Sequence, residues 1–186
     1  MKRNNLNILL AVFLILIAVT ARIVNAGLHM PNFVPIAAIS LFSGAIIKDK
    51  RGLAFLVPLL GQFLADVYFQ LFTAIPGFYD LAGQLFNYGA LICATALGTA
   101  MKEPKALTTL AYVFGASTTF FIVSNFGFFV HGWNGYTVSG FVKTYVDAIP
   151  FFKYTLAGDM AGGVLLFGCY FMVSKRLTDN AEKVKA

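Results

Sequence analysis

The chain has 186 residues, of which 59% are hydrophobic and only 12% charged, a balance that points to an integral membrane protein and leaves no room for a soluble catalytic domain. Its 14 Lys and Arg against 8 Asp and Glu give a net charge of +6, yet no basic run is dense enough to argue for nucleic-acid binding. One compact domain of membrane helices with short connections is expected.

Six apolar segments follow in chain order, at about 6–25, 33–47, 53–75, 81–101, 107–129 and 151–174. Five approach the roughly 20 residues that a spanning helix needs. The first follows Lys2 and Arg3 and ends near Val24, Asn25 and Ala26, a pattern shared with signal peptides. Its apolar run exceeds the usual length of such a peptide, which favours an uncleaved helix. The second is short, with Pro31 and Pro35 at its entrance, and reads as an irregular or tilted element. No segment shows the alternating polarity of a transmembrane barrel strand. The fold class is therefore an all-α, polytopic bundle of six transmembrane helices in one domain, 1–186.

Basic residues collect on the cytoplasmic side of membrane proteins. Six spans with both ends inside place 11 of the 14 basic residues there and leave Arg22, Lys143 and Lys153 outside. With that topology each polar residue acquires a depth. Gln62, Asp66 and Gln70 lie four apart on one face of the third helix, at or beyond its middle. Gln84, Asn87 and Tyr88 occupy the outer half of the fourth helix. The fifth ends outside with Ser124, Asn125, His131 and Trp133, and the sixth reaches Asp159 from an outer entrance. Arg22, His29 and Asn32 flank the first outer connection. The inner halves are apolar or small, so the polar groups converge on an outward-facing chamber with an apolar floor.

Intramembrane charge is costly and marks function or internal pairing. Asp66 and Asp159 either touch a substrate or pair with Arg22 or Lys153. The amides can act as ligand contacts or as interhelical glue. The long connection from Val130 to Ile149, with Gly132, Gly135 and Gly140, reads as a lid on which Trp133 or Tyr136 closes over a ligand. Cys93 and Cys169 show no ligand spacing and read as small buried hydrophobes. No phosphate loop, nucleophile elbow or metal motif is present in the sequence, so neither a cofactor nor a metal is expected. His29 or His131 beside a carboxylate could in principle do acid-base work, but nothing ordered supports an enzyme.

The stretch His29-Met30-Pro31-Asn32-Phe33-Val34-Pro35-Ile36-Ala37-Ala38, with Leu41-Phe42-Ser43-Gly44-Ala45 after it, resembles the opening signature of a family of small bacterial membrane proteins. That family is similar to the substrate-binding S components of energy-coupling factor (ECF) vitamin transporters. Further matches lie at Pro58-Leu59-Leu60 with Asp66, at Ser124-Asn125-Phe126-Gly127, and at Ala148-Ile149-Pro150-Phe151-Phe152 with Gly158-Asp159. The resemblance implies a six-helix bundle in the bacterial cytoplasmic (inner) membrane that binds a vitamin-like micronutrient near its outer surface. It also implies a separate ECF coupling subunit and cytoplasmic ATPases as partners. The first helix lacks the Ala-x-x-x-Ala pattern common in S components, and Ser40 with Gly44 offers a small-x-x-x-small alternative for docking.

The expectation is a membrane-embedded substrate-binding protein whose chamber draws on Arg22, His29, Asn32, Asp66, Gln84, Asn87, Asn125, Trp133, Tyr136 and Asp159. Arg22 or Lys153 could meet a substrate carboxylate, and Trp133, Tyr136 and Phe151 could stack on a flat ring. The alternative is a structural or assembly subunit of a larger membrane complex, without a ligand of its own.

Overall fold

A computed structural model describes residues 3–28, 32–77 and 81–185, with the side chains of 3, 4, 81, 82 and 177–185 outside that description. His29 lies outside the described residues. Among the described residues six α-helices follow one another: α1 (Arg3–Gly27), α2 (Ile36–Ile46), α3 (Arg51–Phe72), α4 (Leu81–Ala100), α5 (Ala106–Val130) and α6 (Val138–Lys185). Among the described residues, α1, α3, α5 and α6 are long and apolar enough to cross a membrane. The count of six helices agrees with the sequence reading, but their lengths do not.

The second element is a helix of only 11 residues. At the helical rise it covers about 17 Å, roughly half a bilayer core, so it cannot cross alone. Pro35 sets its start, because proline lacks the amide of a continuing helix and restricts the residue before it. A single 3-10 turn at Lys48–Lys50 then leads directly into α3. Residues Ile36 to Ala45 are all buried, as expected of a helix that is apolar on every side. All five other helices touch α2, so this short segment is the centre of the bundle.

Two glycines set its closest contact. A Cβ at Gly44 would stand 2.2 Å from the Thr95 carbonyl oxygen, and one at Gly98 would stand 2.1 Å from that of Leu41. The backbones of α2 and α4 therefore meet through positions that accept no side chain. This corrects the expectation that Ser40 and Gly44 form an outward docking stripe, since both are buried inside the bundle. On other sides, the Ser43 hydroxyl donates to the Ala54 carbonyl of α3 at 2.9 Å, and Phe42 meets Phe167 of α6 edge-on at 4.9 Å.

The largest departure is at α6. The expected lid between 130 and 149 is instead a tight turn followed by helix from Val138. Gly132 and Gly135 adopt φ of +81° and +79°, the left-handed backbone that the turn requires. Thr137 then caps the helix, its hydroxyl accepting from the Gly140 amide at 3.0 Å. Pro150, read as the entrance of the last helix, lies inside it. Cys93 and Cys169 also depart from expectation, because both are exposed on the apolar exterior.

At the end rich in basic residues, Lys48 donates to the carbonyls of Met101 and Lys102 at 2.6 and 2.9 Å. It thereby satisfies acceptors beyond the C-terminus of α4 and ties the two connections at that end together. Substituting Gly98→Val should lower thermal stability in detergent by about 1–3 kcal/mol, because α2 and α4 must separate. Gly168→Ala, where an added Cβ meets nothing within 4 Å, should be neutral or stabilising. Equal effects from the two would contradict the close-approach account.

Candidate functional site

A cavity of about 700 Å³ opens at the end of the bundle opposite the basic connections, within the size range of small-molecule sites. Its lining takes Arg22 from late α1, Gln62 from α3 and Ser124 from late α5, together with Ile36 at the start of α2, Asn87 in early α4 and Phe151 of α6. The ends of odd helices and the starts of even ones therefore share one space, so consecutive helices run in opposite senses. The floor is α2, whose apolar side chains fill the bundle beneath.

Of the residues expected to form the chamber, Arg22, Asn32, Asn87, Asn125 and Trp133 line this cavity. Asp66, Gln84, Tyr136 and Asp159 do not, and each has a different position. Arg22 reaches back from the cavity wall and donates through Nη1 to Asp66 Oδ1 at 2.7 Å and to the Gln62 carbonyl at 3.1 Å. Gln62 Nε2 donates to the same carboxylate, 3.2 Å from Oδ2. Asp66 is 1% exposed. This charge is therefore held behind the wall, with its opposite partner in front.

Gln84 donates to the Gly77 carbonyl at 2.9 Å, while the Gly77 amide donates to Gln70 at 3.2 Å. The two glutamines grip the connection between α3 and α4. A Cβ at Gly77 would stand 1.8 Å from the Asp66 carbonyl oxygen, so glycine lets that connection lie directly on α3. Tyr136 donates its hydroxyl to the Val130 carbonyl at 3.0 Å and packs over Gly132, bracing the turn between α5 and α6. Its partner in the expected lid, Trp133, lies edge-on to Phe128 at the cavity wall.

Asp159 is fully buried beneath the cavity. Its Oδ1 accepts the Ala38 amide at 3.0 Å, in the first turn of α2. That turn has no side-chain cap of its own, because Pro35 occupies the capping position. Asp159 supplies from α6 what an Asp or Asn at the helix start would supply locally, an acceptor for an amide of the first turn. Lys153, the other candidate partner, is exposed.

Sequence reasoning missed most of the α6 wall. Thr144, Asp147, Ala148, Phe151, Phe152 and Thr155 all line the cavity. Their spacing of three and four is a helical face that continues to Asp159. A loop over 130–149 conceals Thr144, Asp147 and Ala148, whereas Phe151 is among the rings expected to stack on a ligand. Among the described residues there is no group of three or more His, Cys, Asp or Glu that could hold a metal ion.

The sequence pattern described as "Family of unknown function (DUF6580)" matches residues 2–182. The chain belongs to the DUF6580 family. No curated protein and no solved structure matches this DUF6580 chain.

The ion pair gives a direct test. Arg22→Met should destabilise this DUF6580 protein by about 3–5 kcal/mol, because it strands a buried carboxylate. Arg22→Met combined with Asp66→Leu should recover most of that loss. Unfolding of the two variants in detergent checks this, and a double variant worse than the single one would contradict it.

Proposed function

We propose that this DUF6580 protein is a non-catalytic, membrane-embedded substrate-binding protein that captures a small, vitamin-like micronutrient from the outer face. The observation that carries the reading is the cavity of about 700 Å³ at one end of the bundle, walled by aromatic rings and amides and floored by a buried apolar helix. A carrier with a continuous path would need polar groups through the full depth. A floor of packed aliphatic side chains suits capture better than free passage.

The setting consistent with this is the bacterial cytoplasmic membrane, crossed several times, with both termini and most Lys and Arg on the inner side. The apolar exterior of α1 supports a lipid surface, with Leu9, Phe13 and Leu16 each more than half exposed. An S component of an ECF transporter would work with a coupling subunit and cytoplasmic ATPases. Since Ser40 and Gly44 are buried, such a subunit would have to dock on another face.

A second reading, a structural or assembly subunit without a ligand, draws on the two buried carboxylates. Asp66 and Asp159 both hold helices together, as that reading expects. The two readings part at the cavity. Native mass spectrometry of protein purified in mild detergent should find a retained small molecule, and Ala148→Trp, which fills the cavity, should abolish retention. Empty wild-type protein, or a molecule equally retained by Ala148→Trp, would defeat the binding reading.

A further inference from the structure

Every formal charge among the described lining residues is already answered by the protein. Arg22 is bound to Asp66 at 2.7 Å. Asp147 pairs with Lys143 one helical turn away. Lys153, the remaining cation expected on the outer side, does not line the cavity. An anionic ligand approaching Arg22 would meet a guanidinium whose charge is balanced by Asp66 directly behind it. Its own charge would lose water without gaining an uncompensated partner, which is unfavourable.

The amides differ in this respect. Asn32 and Asn87 line the cavity with side chains that make no hydrogen bond to a described residue. Asn125 and Asn134 each direct their amide nitrogen to the protein, at 2.7 Å to the Phe121 carbonyl and 3.1 Å to the Thr144 hydroxyl, which leaves their oxygens as acceptors. A primary amide offers a donor and an acceptor side by side. Its complement is a lactam or aminopyrimidine edge, which offers the same two groups in reverse order. The flanking surfaces are flat rings: Phe121 and Phe152 lie 4.6 Å apart, and Phe128 stands edge-on to Trp133.

We infer that the cavity selects an uncharged, planar heteroaromatic ligand with an amide-like edge, and discriminates against the same ring carrying a carboxylate. This rests on the substrate-binding reading above and narrows it. The expectation that Arg22 meets a substrate carboxylate is thereby replaced: Arg22 holds the wall in shape through Asp66, and Asn87 reads the ligand.

The test uses purified full-length protein in detergent and two fluorescent probes that share one ring, pterin and 6-carboxypterin, at near-neutral pH. Pterin should bind at least about tenfold more tightly than 6-carboxypterin. Asn87→Leu, which keeps the volume and removes both polar groups, should weaken pterin by about 10- to 100-fold while leaving the fold intact by thermal unfolding. Equal or tighter binding of 6-carboxypterin overturns the selectivity, and an unaltered pterin affinity in Asn87→Leu overturns the assigned reader. If neither probe binds, the heteroaromatic class is wrong. A molecule retained by wild-type protein but not by Ala148→Trp would, even then, keep the broader binding reading standing.

Discussion

The bundle depends on one hydrogen bond that crosses from its last helix to its second. A helix of 11 residues with Ile36 to Ala45 all buried holds its first turn beneath the cavity, among apolar side chains. Its first amides need acceptors, and an unsatisfied buried amide costs about 1–3 kcal/mol. Pro35 removes one donor but brings no side-chain acceptor, so the acceptor has to come from elsewhere in the chain. Asp159 provides it from α6. The same contact fixes two distances, since α2 cannot slide along its axis and α6 cannot rotate about its own without breaking it. The height of the cavity floor and the face that α6 turns to the cavity are set together.

Asp66 does parallel work on the opposite wall. Two charges removed from water are tolerable when they are close and their remaining groups are hydrogen-bonded. Arg22, Gln62 and the carboxylate meet both conditions. The result is a wall that contains a strong dipole but presents little net charge. Held between this wall and α6 is a cavity lined by amides and aromatic rings, which on the proposed binding reading would recognise a ligand by shape and hydrogen-bond order rather than by charge. Under the proposed binding reading, an apolar floor would require that any release through the bundle involve a rearrangement of the helices or a partner that drives one.

Much of this was legible in the sequence, for identifiable reasons. The existence of the helices follows from long apolar runs, and the importance of Asp66 and Asp159 follows from the cost of charge among them. Depth along each helix is simple arithmetic, and Arg22, Asn32, Asn87, Asn125 and Trp133, which it places at one level, all line the cavity. The individual roles were less accessible. Whether a carboxylate faces a cavity or a backbone amide depends on rotation about the helix axis, and apolar periodicity is weak where lipid and core are both apolar. The exposed Cys93 and Cys169 illustrate the same ambiguity.

The start of α6 was lost for another reason. Gly132, Gly135, Gly140 and Pro150 suggested an open loop, whereas Thr137 is the capping residue and Pro150 is tolerated within the helix. Reading a cap at Thr137 would have recovered the face that runs through Thr144, Ala148, Phe151 and Thr155 to Asp159. That face joins the cavity wall to the anchor beneath it. The decisive measurement is amide hydrogen exchange over residues 32–41 in wild-type protein and in Asp159→Ala. If Asp159 anchors α2, protection there should collapse while α1 and α3 keep theirs. Unchanged protection at Ala37 and Ala38 would contradict the account.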